Sequence, residues 1–179
     1  MKNFLLAIVL LCTLPTFAQI KSAQLTASGL TCSMCSKSIF KALEKVPAIQ
    51  SVDADVEKSI FTIVFKPGVS VSPDEVKKAV EDAGFSVASM VLTTSFSGSR
   101  VGKDSHLTIG GNTYHVVGAT DRELNGDVAL RVVDKNFISP KEHKKYGKAT
   151  AMKCYQSGMR GTCCPADASS PNRIYHVVL

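Results

Sequence analysis

Cys32 and Cys35 stand three positions apart in Gly29-Leu30-Thr31-Cys32-Ser33-Met34-Cys35, just ahead of a stretch with helical periodicity. Cysteines at i and i+3 at a helix start can turn both sulfurs to one side, and the partial positive charge of a helix amino terminus favours the thiolate form. Such a pair can clamp a metal, cycle between dithiol and disulfide, or form a structural bridge. Two thiolates suit a soft ion: Cu(I) accepts low coordination, whereas a structural Zn(II) site needs four ligands. Met34 could lend a thioether, but methionine is a weak ligand and its place between the cysteines reads as a loop residue. A second group, Cys154, Cys163 and Cys164, lies far along the chain with Met152 and Met159 nearby. In an oxidising compartment these three give one disulfide from Cys154 to Cys163 or Cys164 across Gly158, with one thiol left over; the other reading is a second soft-metal site.

The elements that must position Cys32 and Cys35 have clear periods. Ala23 to Gly29 alternates apolar and polar residues as a half-buried strand does. Ile39, Leu43 and Val46 follow at helical spacing, and Pro47 closes that helix. Val52 to Glu57 alternates, and Ile60 to Phe65 is apolar or β-branched, which makes a hairpin. Ser72-Pro73-Asp74-Glu75 is a helix start, with an N-cap serine, proline in the first turn and acids behind it. Gly84 ends that helix, and Val87 to Leu92 is a fourth strand. The order βαββαβ predicts an α+β, ferredoxin-like domain over residues 19–92.

The segment Gly29 to Cys35 between strand one and helix one, with the Gly84-Phe85 turn facing it, resembles the heavy-metal-associated family of soluble copper chaperones, copper-pump modules and periplasmic mercury-binding proteins. The likeness covers residues 23–92. It implies that Cys32 and Cys35 are the metal ligands, with Leu30, Thr31 and Phe85 supporting the loop. Leu30 stands where the family usually has methionine, and Phe85 where many members carry tyrosine or lysine, which bears on affinity more than on binding. The resemblance implies Cu(I) as the ion, with Hg(II) or another soft metal as the competitor. A thiol-disulfide oxidoreductase would also place CxxC at a helix start, but in a βαβ setting with a proline-bearing segment opposite; here the facing segment is Ala83-Gly84-Phe85-Ser86.

Residues 93–100, rich in Ser, Thr and Gly, read as a linker, and the charge changes across it. Residues 19–92 carry eight lysines against eight acids, and residues 93–179 carry twelve Lys or Arg against seven acids, a net of +5. Residues 101–179 are expected to form a small β-rich domain, of the oligonucleotide-binding barrel type, from strands at Ser105 to Ile109, Thr113 to Val117, Asp127 to Val133 and Ile174 to Leu179, with a short helix at Pro140 to Tyr146. Tyr114-His115-Val116-Val117 is echoed by Tyr175-His176-Val177-Val178, which two edge strands would explain. Lys141, Lys144, Lys145 and Lys148 read as a solvated face.

Met1, Lys2 and Asn3, the apolar run from Phe4 to Leu14 and the break at Pro15 to Ala18 form a secretory signal pattern, residues 1–18, cut after Ala18. Cys12 is not preceded by the small residue that lipidation expects. No later run is long enough to span a membrane, so the expectation is a periplasmic or secreted protein that meets little nucleic acid. The function expected is non-enzymatic binding and transfer of a soft ion. The partner is a metal donor or acceptor whose acidic face would match Lys37 and Lys41 on helix one.

Overall fold

The computed structural model describes residues 18–30, 32–164 and 172–179. The signal segment apart from Ala18, including Cys12, lies outside the described residues, as does Thr31 of the loop. The elements are β1 (Ile20–Ser28), α1 (Ser33–Leu43), β2 (Ile49–Asp55), β3 (Ile60–Phe65), α2 (Pro73–Asp82), β4 (Ser86–Val101), β5 (His106–Ile109), β6 (Asn112–Val116), β7 (Arg122–Val132), α3 (Pro140–Tyr146), α4 (Cys154–Ser157) and β8 (Ile174–Val178).

The first half is ferredoxin-like. Its antiparallel strands run β2-β3-β1-β4, so the two βαβ units interleave and both helices cover one face. Alternation decides which residues turn inward: Ala23, Leu25 and Ala27 of β1, Phe61 and Ile63 of β3, and Met90 and Leu92 of β4 are all buried. They meet Ile39 and Leu43 of α1 and Val76 and Val80 of α2, each at most 1% exposed. Ser72 does precede α2, but its side chain makes no cap hydrogen bond; its hydroxyl lies 3.1 Å from the Tyr175 hydroxyl instead. A partner from the other half of the chain has taken the cap's place.

The linker expectation is corrected. Residues 93–100 lie inside β4, which is sixteen residues long and pairs with β1 on one side and β7 on the other. Met90, Leu92, Thr94 and Phe96 are buried in strict alternation, so the strand period runs straight through the Ser/Thr-rich stretch. Threonine is β-branched and serine fits the half-exposed face, so the composition that suggests a linker also builds a strand. Gly98, at φ +75°, sits at a register shift between Ser97 and Ser99, a bulge that glycine's freedom at positive φ permits.

The strands of the second half do not close a separate barrel. They extend the same sheet, whose full order is β2-β3-β1-β4-β7-β8-β6-β5. The echoed segments are neighbours in it: β6 and β8 pair in parallel, with Tyr114 beside Tyr175 and His115 beside His176. Both strands are interior to the sheet and not at its edge, because β7 flanks β8 and β5 flanks β6. Gly110 and Gly111, at φ +56° and +83°, make the tight turn between β5 and β6. That turn returns to the first half, where the Gly110 amide donates to the Ala18 carbonyl at 3.0 Å and the Ser70 hydroxyl donates to the Gly110 carbonyl at 2.6 Å. Arg173 Nε donates to Asp74 at 2.8 Å and stacks its guanidinium over Tyr175. The two halves thus share one core cluster, which runs from Ile20 to Val177.

Candidate metal centre

Cys32 is the N-cap of α1, with extended backbone at φ −157° and ψ 162°. The Cys35 amide donates to the Cys32 carbonyl at 3.1 Å, which closes the turn and brings the two sulfurs to 3.0 Å. A disulfide would place them about 2.05 Å apart, so this is a dithiol. Two sulfurs each about 2.3 Å from one ion sit about 4 Å apart at a 120° angle, so an ion entering this pair spreads it by about 1 Å. The surroundings allow that movement, because Cys32 is exposed and Cys35 only half-buried. Met34 is 67% exposed and points away from packing.

Support comes from beneath the loop. Leu30 and Phe85 are half-buried and pack against the core. Gly29, at φ +87°, brings the chain off β1, and a side-chain carbon there would meet the Phe85 ring at 3.8 Å, an ordinary contact. The conformation and not the space is what favours glycine there. Phe85 is fixed in turn by its amide, which donates to the Val80 carbonyl at the end of α2. Lys37 and Lys41 lie exposed on α1.

The distant cysteines come together at a separate place. The ligand atoms of Cys154, Cys163 and Cys164 all lie within 4.8 Å of one another, and all three are unbridged thiols. Cys154 and Cys164 are buried and Cys163 half-buried, with Met152 packed against them. Met159 is exposed. Sequence reasoning did not anticipate that His115 and His176 complete a second cluster around Cys154, again within 4.8 Å. The only signal for them was the echoed Tyr-His-Val-Val, whose meaning depends on the parallel pairing of β6 with β8.

Burial dominates the electrostatics of this region. It pushes the Cys154 thiol up and brings His115 down to about 4, although Asp104 accepts a hydrogen bond from that ring. At Cys163 burial acts upward but is outweighed by hydrogen bonds from the Cys154 amide and the neighbouring thiols, which hold it below the ordinary thiol value.

The fold and the CxxC loop define a metal-binding βαββαβ module, and the comparisons agree. The model of the heavy-metal-associated domain matches residues 24–86. The mercuric transport protein periplasmic component of Pseudomonas fluorescens is 33% identical over 86 residues, which is 48% of this chain and 93% of that protein. Human copper-transporting ATPase 2 is 30% identical over 78 residues, 44% of this chain; the chain spans only 5% of that protein's length. Among solved structures, oxidized MerP from Ralstonia metallidurans shares 32% identity, covering 39% of this chain and 96% of that one at a TM-score of 0.34. The chain belongs to the heavy-metal-associated family.

Proposed function

We propose that this protein binds a soft metal ion, Cu(I) first, between Cys32 and Cys35, and passes it to another protein without catalysing a reaction. The observation that carries the reading is the pair of thiols 3.0 Å apart on an exposed loop at the start of α1. Two thiolates leave coordination positions open, so an incoming donor can bind before an outgoing one leaves. Lys37 and Lys41 would meet an acidic face of that partner. The signal pattern at the amino terminus and the similarity to a periplasmic component both support an exported protein.

The direct test is an anaerobic Cu(I) titration of the reduced protein against a chromogenic chelator, repeated with Cys32→Ser and Cys35→Ser. Loss of tight binding in both variants is expected; retention in both removes the assignment. Handover is tested by mixing loaded protein with an acceptor in contact or across a dialysis membrane, and equal rates would leave only a buffering role.

A second reading, Hg(II) as the ion, is favoured by one observation: the mercuric relative is matched over nearly its whole length. Competition between the two ions for one protein sample ranks them.

A further inference from the structure

The sheet face opposite Tyr114 and Tyr175 carries chemistry that the Cys32–Cys35 loop does not use. We propose that His115, His176 and Cys154 form a second metal site for a d10 cation, three-coordinate with Cu(I) or, completed by a thiolate from Cys163 or Cys164, four-coordinate with Zn(II). The site is independent of Cys32 and Cys35, and its donors come from three elements: β6, β8 and α4 with the segment that follows it.

Spacing is the first argument. Around a tetrahedral ion with ordinary bonds of about 2.3 Å to sulfur and about 2.05 Å to nitrogen, the sulfur and nitrogen sit about 3.5 Å apart, and about 3.8 Å apart at a trigonal angle. His176 Nε2 lies 3.5 Å from Cys154 Sγ, and His115 Nδ1 lies 3.9 Å from the same sulfur. These three donors already stand where a shared ion would hold them, and Cys163 and Cys164 are gathered within 4.8 Å of Cys154, from which a thiolate closes in on the ion as the fourth donor.

Orientation is the second. Each imidazole faces Cys154 with one nitrogen and a carboxylate with the other: His176 Nδ1 is 2.7 Å from Asp134, and His115 Nε2 is 2.9 Å from Asp104. A carboxylate on the far nitrogen fixes the tautomer and leaves the near nitrogen's lone pair for a metal. Asp134 is itself held, since it also accepts from the His176 amide at 2.9 Å and lies 3.6 Å from Arg173.

Burial and charge are the third. His115 and His176 are 0% exposed and Cys154 1%, so an ion held among them would be shielded from water and must be matched by its donors' charge. Two imidazoles and two thiolates around Zn(II) sum to zero charge, as do two imidazoles and one thiolate around Cu(I). Either complex is neutral where an isolated charge would be expensive. Half-buried Cys163 lies at the rim, where an ion would enter. A thiol-imidazole hydrogen-bond cluster and a Cys154 disulfide are the competing accounts of the same residues.

The experiment uses the full chain carrying Cys32→Ser and Cys35→Ser, reduced and metal-free, so that its outcome does not depend on the first site. One arm titrates Zn(II) against a chromogenic chelator, and a second titrates Cu(I) anaerobically. A third replaces Zn(II) with Co(II), whose visible spectrum reports tetrahedral thiolate ligation. One equivalent of Zn(II) or Cu(I) is expected, and the tighter arm names the ion. Asp134→Asn should weaken it about 10- to 100-fold, the usual effect of removing a ligand's carboxylate partner. His176→Gln should weaken it further. X-ray absorption on the loaded parent counts sulfur and nitrogen neighbours without a ligand variant, which keeps the test decisive if His176→Gln fails to fold. Absence of a bound equivalent, a metal shell without imidazole nitrogen, or a Cys154 disulfide in protein isolated without reductant would each overturn the site.

Discussion

Phe96 decides whether residues 93–100 connect two bodies or belong to one. Its ring is 7% exposed in the middle of β4, level with Gly126 of β7 and within the core cluster that spans both halves. Truncation of a buried phenylalanine to alanine removes its transfer free energy and leaves a cavity, together about 3–5 kcal/mol. A surface or linker position changes stability by about 0.5 kcal/mol or less. The two accounts therefore differ by several kcal/mol for Phe96→Ala, a large part of the roughly 5–15 kcal/mol that holds a domain together. For a chain of this length the expected fall in Tm is on the order of 10 °C. Urea unfolding followed by far-ultraviolet circular dichroism should show one transition in both proteins, shifted to lower urea in the variant. Thr93→Pro adds an independent check, because Thr93 pairs with Ser22 on one side and Ala129 on the other, and proline removes a ladder donor from a central strand. Variants as stable as the parent, or two separate transitions, would refute the continuous sheet.

Three further outcomes follow from single contacts. Tyr155→Phe removes a buried hydroxyl whose single proton is shared between the Val133 and His143 carbonyls, 3.0 and 2.9 Å away, and should cost about 1–3 kcal/mol in denaturant unfolding. Gly29→Ala must place an L side chain at φ +87°, so about 1 kcal/mol of destabilisation is expected from the backbone alone, with no steric penalty against Phe85. Glu142 closes the capping box of α3 with Ser139 and pairs with Arg131 at 2.8 Å; Glu142→Gln keeps the box and removes the ion pair, so it should lose about 0.5 kcal/mol. Arg131 above all, then Ser139, hold the Glu142 carboxyl below its ordinary value. Because the folded value is the depressed one, this contribution is present above about pH 4.5, the ordinary Glu value, and is lost as pH falls through the folded value. The stability difference between parent and Glu142→Gln should therefore shrink on acidification; a constant difference would refute the ion-pair account.

The first half was legible because every one of its elements obeys a short-range rule. Alternation in Ala23 to Gly29, helical spacing from Ile39 and the Ser72-Pro73 start are local facts, and the CxxC loop lies between two of those elements. What escaped was long-range. Thr93 to Ser99 has a linker's composition, and only its pairing with β7 reveals a strand. The second-half strands were located well, but their order was not, since parallel pairing of β6 with β8 joins segments about sixty residues apart. The same gap hid His115 and His176. Each histidine taken alone on an alternating strand reads as an ordinary side chain, and their chemistry exists only once β6, β8 and α4 are packed.

The continuous sheet also relates the two thiol clusters. Arg131 of β7 is level with Val91 of β4, and the Val133 amide donates to the His176 carbonyl. Carrying the antiparallel register on by two residues sets Val133 level with Ser89, which pairs with Thr26 of β1. His176 therefore lies level with the last turn of the pleat before the chain leaves β1 at Ser28 for the Cys32 loop. Three strand steps separate them, about 14 Å across the sheet. Val177 belongs with the helix-covered core while His176 faces Cys154, so the His176 cluster occupies the sheet face opposite the two helices of the first half. Both clusters point toward one end of the molecule with the sheet between them. Neither borrows a residue from the other, and loss of the two thiols on the exposed loop leaves every donor of the buried cluster in place.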